Sequence, residues 1–285
     1  MEEDKIPFLS LDNCDLNKLF ACQLKQVGNT NSYSDLFVYG DNVYKIYNDR
    51  FDVAFQNIEI LKRIFKYYNE LSTVKELVLP NNILIYNKHY VGFSMPYIKG
   101  ITLEKIITEG KFPTSEIKRI FIYLLDLINK FQNFPFPFAV GDLHEKNIIL
   151  DEKGQIRIID CDSFIIDNVN IFSNEKVIYG KYLANNNYTS KENSSVDYVF
   201  LLSMILNYVL SFNCNEINPI EFMLDNIKLN DITLDLLKRT TKCDFILTKK
   251  DIDALFNTSF QRIYHHENEI YVDEFKRKRK LANKL

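Results

Sequence analysis

Four side chains of this sequence have the types and the spacing that a phosphoryl-transfer site requires. The string Gly141-Asp-Leu-His-Glu-Lys-Asn-Ile148 places a carboxylate at Asp142 and a carboxamide at Asn147. Asp160 follows at the end of the next apolar run, and Lys45 lies far upstream in a strand-like run. A lysine can bind phosphates, one carboxylate can accept a proton, and an Asn/Asp pair offers the oxygen ligands that Mg²⁺ prefers.

The elements expected to position these residues change from strands to helices along the chain. Apolar and aromatic runs between turn-forming separators predict five strands in the first third, at 21–27, 35–39, 43–47, 82–86 and 90–95. Apolar residues at spacings of three and four predict helices over 51–71, 114–132 and 195–212. A hairpin over 148–159 delivers Asp160 at its end, and residues up to Leu19 are predicted to be a polar lead-in.

Composition indicates a globular protein and excludes several classes. The chain has 285 residues, of which 46% are hydrophobic and 26% charged, so it can bury one large core or two smaller ones. A net charge of −3 gives no overall attraction to nucleic acid. The basic run 276–280 is the local exception; it is read as a solvated end of the chain, with contact to nucleic acid, lipid or a partner as the alternative.

Cysteine usage and hydropathy favour a cytoplasmic location. The five cysteines are scattered and form no CxxC pair, which argues against a disulfide framework or a zinc site. The N-terminus lacks a signal-peptide core, and the most apolar stretch, 198–212, is too short to span a membrane. We therefore expect no membrane span, and the sequence leaves the oligomeric state open.

From about residue 24 to residue 256 the sequence resembles the protein-kinase-like superfamily, most closely bacterial eukaryotic-type Ser/Thr protein kinases. The resemblance rests on Lys45 in its strand and on the ungapped intervals from Asp142 to Asn147 and Asp160. It implies an α+β, two-lobed protein-kinase-like fold with a β-rich N-lobe and a helical C-lobe. The expected limits are 1–19 for an N-terminal extension, 20–97 for the N-lobe and 98–285 for the C-lobe.

The resemblance also assigns roles to individual residues. Lys45 would hold the α- and β-phosphates of ATP, and Glu59 would pair with it, with Glu70 and Glu76 as alternatives. Asp142 would be the catalytic base. The magnesium ligands would be Asn147 and Asp160, with Asp160 preferred over Asp162 because it directly ends the apolar strand.

Further residues are expected to bind the nucleotide or to regulate the site. Gly28 would belong to the phosphate-binding loop, and Met95, Pro96, Tyr97 and Ile98 would form the hinge that holds the adenine. His144 would contact phosphate or pack the loop. Candidate sites of phosphorylation in cis are Ser163, Ser173 and Tyr179.

The sequence departs from the kinase pattern in several places, three of which concern the site itself. The phosphate-binding loop keeps one glycine, Gly28, where the family tends to have three. Val140 and Gly141 replace the histidine and arginine that usually precede the catalytic aspartate, so control by a phosphorylated activation loop loses its usual charge partner. The metal motif reads Asp160-Cys-Asp162 in place of Asp-Phe-Gly.

The resemblance predicts an enzyme that transfers phosphate from ATP, with Mg²⁺, to Ser or Thr hydroxyls of a protein substrate. The string Gly-Asp-Leu-His also occurs in aminoglycoside and choline phosphotransferases, which makes a small-molecule acceptor the first alternative. A nucleotide-binding pseudokinase scaffold is the second. Asp197 on the predicted 195–212 helix favours a protein substrate, because the corresponding helix aspartate braces the catalytic loop in protein kinases.

Overall fold

A computed structural model of the chain describes residues 6–21, 34–47, 51–167, 193–210, 227–228, 231–240, 245–258 and 261–262. The chain divides into two compact units. The first combines Met1–Gly100 with Ile149–Ile171, and the second combines Ile101–Ile148 with Phe172–Leu285. The first unit is therefore built from two stretches that are distant in sequence.

A five-stranded sheet forms the centre of the first unit. Its strands are β1 (Phe8–Leu11), β2 (Ser34–Tyr39), β3 (Asn42–Tyr47), β4 (Asn82–Tyr86) and β5 (His89–Pro96), in the order β1-β4-β5-β3-β2. β1 pairs with β4 in parallel, and the other neighbours are antiparallel. β3 lies between β2 and β5, so Lys45 is held by backbone pairing to strands on both sides.

Three helices accompany this sheet: α1 (Asn13–Ala21), α2 (Phe51–Lys66) and the short α3 (Tyr68–Leu71). In α2, Ile60, Leu61 and Ile64 are fully buried, and their spacing places them on one helix face. That face packs toward β5 and toward the 3₁₀ turn Cys161–Ser163. The helix thus forms where one apolar face meets the core.

Gly92 on β5 allows the close approach of β3. A Cβ atom at this position would overlap the carbonyl oxygen of Lys45 and lie 3.1 Å from the Cα of Ile46. We expect Gly92→Ala to lower the free energy of unfolding by about 1–3 kcal/mol, because β3 must shift away from β5. Urea unfolding of the variant measures this loss, and an unchanged midpoint and slope would show that the two strands are not in such close contact.

The remaining part of the first unit is a hairpin that returns from later in the chain. It consists of β8 (Ile148–Asp151) and β9 (Ile156–Ile158). Ile158 bridges in parallel to Leu77, and its backbone donates to the Glu76 carbonyl at 2.7 Å and accepts from the Val78 N–H at 2.9 Å. These bonds attach β9 to the segment before β4 and so place Asp160, two residues later, in the first unit.

The second unit is mainly helical. The helices among its described residues are α4 (Leu103–Thr108), α5 (Thr114–Phe131), α6 (Asn193–Leu210), α7 (Asp231–Arg239) and α8 (Lys249–Asn257). The short strands are β7 (Phe138–Ala139) and the antiparallel pair β11 (Ile227–Lys228) and β12 (Gln261–Arg262); β6 (Gly100–Thr102) and β10 (Ile165–Ile166) complete the described strands. Helices α5, α6 and α8 pack together around Phe121, Tyr208 and Phe256, whose ring centroids lie 5.7–6.2 Å apart.

The expected fold class is confirmed at the level of a mixed α and β protein with a β-rich region and several helices. Two local predictions were wrong. The polar lead-in before Leu19 contains β1 and most of α1, because Leu9 and Leu11 alternate on a strand that pairs with β4. Ala21 ends α1 and does not begin a strand, while the rest of the strand predicted over 21–27 lies outside the described residues.

The units also divide the chain differently from the predicted lobes. The boundary near residue 100 lies close to the predicted limit at 97/98, but Ile149–Ile171 belongs with the β-rich unit. In the part of the chain that the structure describes, no helix is long and apolar enough to cross a membrane.

Candidate functional site

The Lys45 amine is bound by two carboxylates in the first unit. Its Nζ pairs with Asp160 Oδ1, and it donates to Asp162 Oδ1 at 2.8 Å. The hydroxyl of Tyr47 donates to the other oxygen of Asp162 at 2.5 Å. Lys45, Tyr47, Asp160 and Asp162 form what we call the lysine cluster.

Strand alternation and one backbone turn assemble this cluster. Lys45 and Tyr47 are two residues apart on β3, so their side chains leave the same face of the sheet. Asp160 has φ of 71° and ψ of 52°, a left-handed conformation that costs a non-glycine residue some backbone energy. The Ser163 N–H and hydroxyl both donate to the Asp160 carbonyl, at 3.2 and 2.7 Å, and hold this turn. The turn brings Asp160 and Asp162 to the same amine.

Burial and charge both act on the cluster. Burial alone would lower the pKa of Lys45, but Asp160 and Asp162 outweigh it and raise that pKa above its ordinary value. Burial raises the pKa of Asp162 to about 6, with Lys45 opposing the shift. Two carboxylates share one ammonium, so the fully ionised cluster has an excess negative charge, which favours binding of a cation.

Glu59 does not serve as the partner of Lys45, which corrects the expected role. It lies on α2 with 48% of its side chain exposed and pairs with Lys62 at 2.9 Å, one helical turn away. An ion pair on the solvent-exposed face of a helix contributes little to the stability of the fold. The structure brings Asp160 and Asp162 to Lys45 instead, and both of them follow β9.

A second charged group joins α2 to the chain after the lysine cluster. The carboxylate of Asp167 accepts from Arg63 at 3.0 Å, from the Tyr67 hydroxyl at 2.7 Å and from Lys66 at 3.4 Å. Burial opposes the shift, but these donors lower the pKa of Asp167. Asp167 therefore remains an anion, and its contacts attach the residue after Ile166 to the C-terminal end of α2 and to Tyr67.

The loop 141–147 of the second unit holds Asp142, His144 and Asn147 in one turn. The Asn147 side-chain N–H donates to the Asp142 carbonyl at 3.0 Å, and the Asn147 backbone N–H donates to the His144 carbonyl at 3.0 Å. The His144 Nε2 lies 3.4 Å from Asp142 Oδ2, while its Nδ1 accepts from the Lys146 N–H at 3.1 Å. His144 thus contacts the carboxylate of Asp142, whose side chain is 30% exposed.

Asp197 of α6 fixes the start of this loop. Its two carboxylate oxygens accept the backbone N–H groups of Val140 at 2.8 Å and Gly141 at 3.0 Å, and the residue is 1% exposed. Gly141 has φ of 79°, which few other residues adopt without strain. Gly141 allows the chain to turn directly before Asp142, and the hydrogen bonds to the Asp197 carboxylate hold that turn.

The ionisation of Asp197 predicts a pH dependence of stability. Burial raises its pKa to about 7, with the two backbone N–H bonds opposing the shift. The folded state therefore holds the proton more tightly than the unfolded chain, whose Asp titrates near its ordinary value of about 4. The contribution of Asp197 to stability is full below about pH 4 and decreases as pH rises to about 7, by roughly 1.4 kcal/mol per unit of pKa difference.

Urea unfolding between pH 4 and pH 8 measures this effect. The difference in free energy of unfolding between the wild type and Asp197→Asn should fall with rising pH and level off above about pH 7. Parallel curves for the two proteins across this range would show that Asp197 does not titrate there.

The segment predicted to be the hinge ends β5. Met95 is buried and lies opposite Val43, and Pro96 lies opposite Asn42. The Tyr97 N–H donates to the Asp41 carbonyl at 2.8 Å, so it is already used by the protein.

Several predicted residues lie outside the described part of the chain: Gly28, Ser173, Tyr179 and the basic run 276–280. Ser163 is described, and it is only 5% exposed. Its hydroxyl donates to the Asp160 carbonyl, so the structure assigns it to the turn beside the lysine cluster. Of the five cysteines, the described ones are the exposed Cys14 and the buried Cys161, and both are free thiols.

The side-chain oxygens of Asp160 and Asn147 are of the type that magnesium binds. Asp160 is 31% exposed, and the lysine cluster to which it belongs has excess negative charge when it is ionised. Asn147 uses its side-chain N–H on Asp142, so its oxygen is the end left for a cation. Among the described residues no group of three or more His, Cys, Asp and Glu side chains could enclose a metal. Mg²⁺ commonly takes only one or two protein ligands, with water and phosphate oxygens as the rest.

Two residues of the lysine cluster, Asp162 and Tyr47, were not predicted to act on Lys45. Asp162 was considered only as a competitor of Asp160 for the metal, and Tyr47 had no predicted role. The available signal was alternation on β3, which puts Tyr47 on the same face as Lys45. A hydroxyl on that face indicates a nearby acceptor once the strand is known to be partly buried.

Comparison with known proteins adds no identification. No family model matches the chain, and no curated protein matches it.

Proposed function

We propose that this chain is a phosphotransferase with a two-lobed protein-kinase-like fold, which transfers phosphate from ATP to Ser or Thr hydroxyls of a protein substrate with Mg²⁺. The observation that carries the proposal is the pairing of Lys45 with Asp160 in a partly buried cluster. The resemblance selected these two residues, 115 positions apart in the sequence, as parts of one reaction site. A chance pairing of a strand lysine with that particular aspartate is a poor alternative explanation.

In the proposed reaction Lys45 binds the α- and β-phosphates and neutralises their charge. Asp142 accepts a hydrogen bond from the acceptor hydroxyl and receives its proton as the new oxygen–phosphorus bond forms. The bond between the γ-phosphorus and the bridging oxygen breaks, and ADP leaves with that oxygen. His144, in contact with the carboxylate of Asp142, keeps it in place for this step.

Asp160 and Asn147 would hold the magnesium ion, which supplies positive charge to the phosphate oxygens when it is bound. The rest of the proposal concerns what the chain itself positions. Proton transfer and charge neutralisation need fixed groups, so the bonds from Asn147 to Asp142 and from Asp197 to the residues before it support the proposed roles.

A protein acceptor is favoured over a small molecule by Asp197. The sequence resemblance predicted that this helix aspartate braces the loop before the catalytic residue, as in protein kinases. Asp197 accepts both N–H groups of Val140 and Gly141, which supports that prediction at the level of contacts.

Incubation with ATP labelled in its γ-phosphate tests the proposal. One sample contains generic protein acceptors and Mg²⁺, another contains a panel of hydroxylated and amino-bearing small molecules, and Asp142→Ala is the control in both. Label on protein that is lost in the variant supports the proposal. Label only on small molecules would show the other class of phosphotransferase, and nucleotide binding without transfer would show a scaffold.

A further inference from the structure

We propose that Asp162, oriented by Tyr47, is the residue that positions Lys45, so that the lysine needs no glutamate from helix α2. This inference rests on the proposed function, in which Lys45 binds the phosphates of ATP. It gives Asp162 a role distinct from that of Asp160, although both carboxylates contact the same amine.

The two carboxylates differ in burial. The side chain of Asp162 is 4% exposed, while that of Asp160 is 31% exposed. Asp162 accepts from Lys45 with one oxygen and from the Tyr47 hydroxyl with the other, so both of its oxygens are bound by groups of β3. Asp160 is the more open carboxylate and can turn to another cation without exposing a buried charge.

This difference implies a division of roles within the cluster. If Asp160 engages magnesium, Asp162 would still neutralise the ammonium of Lys45 and hold its direction. One carboxylate and one ammonium then remain as a balanced pair in a buried setting, where an uncompensated charge is costly. If Asp160 were the only partner, Lys45 would lose its anchor at the moment when the nucleotide arrives.

The position of Glu59 supports the same conclusion. A helix glutamate that positions the lysine would have to reach Lys45, whereas Glu59 is exposed and pairs with Lys62. Tyr47 also explains why Asp162 can take the role that was expected of Glu59. A buried phenol needs an acceptor, and Asp162 provides one while its direction is fixed by the same bond.

Chemical labelling of Lys45 tests the proposal without any catalysis. The nucleotide-free protein is treated at one fixed pH with an amine-reactive acetylating reagent, and acetylation of the peptide that contains Lys45 is followed by mass spectrometry. The wild-type Lys45 side chain is only 12% exposed and its amine is held by two ion pairs, so we expect slow labelling. Asp162→Asn should accelerate it at least about tenfold, since a buried charged hydrogen bond is lost.

Three further variants make the labelling decisive. Tyr47→Phe removes only the hydroxyl and should accelerate labelling to a smaller extent, and it serves as the test if Asp162→Asn fails to fold. Glu59→Gln should label like the wild type, as should Glu116→Gln, whose exposed carboxylate pairs with Arg119 in the second unit. Unchanged labelling in both cluster variants would overturn the proposal, and faster labelling in Glu59→Gln would assign the positioning of Lys45 to Glu59 instead.

Steady-state kinetics then separates positioning from simple stability. A displaced lysine should lower kcat/KM for Mg-ATP by about 100-fold in Asp162→Asn. Tyr47→Phe should lower it about tenfold, and Glu59→Gln should match Glu116→Gln. Circular dichroism and urea unfolding identify any variant whose loss comes from unfolding alone. If the wild type transfers no phosphate, the proposed function fails, but the labelling still decides which carboxylate holds Lys45.

Discussion

Replacing Asp142 with asparagine should lower the rate of phosphoryl transfer by about 10²–10⁴-fold, because the acceptor hydroxyl loses the group that takes its proton. The change is nearly isosteric, and the backbone carbonyl that binds Asn147 is unaffected. We therefore expect the affinity for Mg-ATP to change little. Single-turnover transfer at saturating ATP, with nucleotide binding measured by calorimetry, separates the two quantities.

Lys146→Gln is a suitable control for this variant, since Lys146 lies in the same loop and its side chain is 48% exposed. Its rate should stay within about threefold of the wild type, as expected for loss of a weak surface ion pair. A rate for Asp142→Asn as high as that of Lys146→Gln would remove Asp142 from the chemical step and favour a mechanism without a protein base.

Replacing Asp197 with alanine should lower the free energy of unfolding by about 4 kcal/mol. The variant leaves the N–H groups of Val140 and Gly141 buried without an acceptor, at about 1–3 kcal/mol for each group. For a chain of this size, such a loss corresponds to a decrease of roughly 10 °C in Tm. Urea unfolding and thermal scans followed by circular dichroism measure both quantities.

Asp126→Ala is the matched control for Asp197→Ala. Asp126 also lies on a long helix of the second unit, but its side chain is 51% exposed and pairs with Lys249. Its removal should change the free energy of unfolding by less than about 1 kcal/mol. An equal decrease in the free energy of unfolding for the two variants would contradict the view that Asp197 stabilises the start of the 141–147 loop.

The regular elements were predictable wherever one face of an element is buried. Helix α5 was predicted over 114–132 and is observed over Thr114–Phe131, because Phe121, Leu124 and Leu125 recur at helical spacing and are all buried. The predicted limits of β3 and β4 agree with the observed ones to within one residue for the same reason. Pro113 is the N-cap of α5, and no side chain caps the helix.

The N-terminal elements were not predictable from local pattern. Strand β1 has four residues with partly exposed side chains, and its existence depends on parallel pairing with β4, which lies more than seventy residues later. No periodicity within Phe8–Leu11 can encode that partner. Short edge strands of this kind are determined by tertiary contacts and not by propensity.

The site residues were predicted from spacing, but their pairing was not. The interval from Asp142 to Asp160 is a property of the sequence, and it selected one of the two carboxylates that reach Lys45. The choice between Glu59 and Asp162 as its second partner depends on the rotation of α2 about its axis and on the left-handed turn at Asp160. Neither can be derived from a list of residue types, since both are set by packing around Cys161 and Phe164, which are fully buried.

The composition of the first unit from Met1–Gly100 and Ile149–Ile171 has a consequence for how the protein is made. Ribosomal synthesis proceeds from the N-terminus, so the five strands emerge long before the hairpin that supplies Asp160 and Asp162. Until that part of the chain has been synthesised, the Lys45 amine lacks both of its counter-ions. A fragment that ends near residue 100 never acquires them. We expect such a fragment to be aggregation-prone, and the nascent unit to reach its final form only after the first part of its neighbour has been translated.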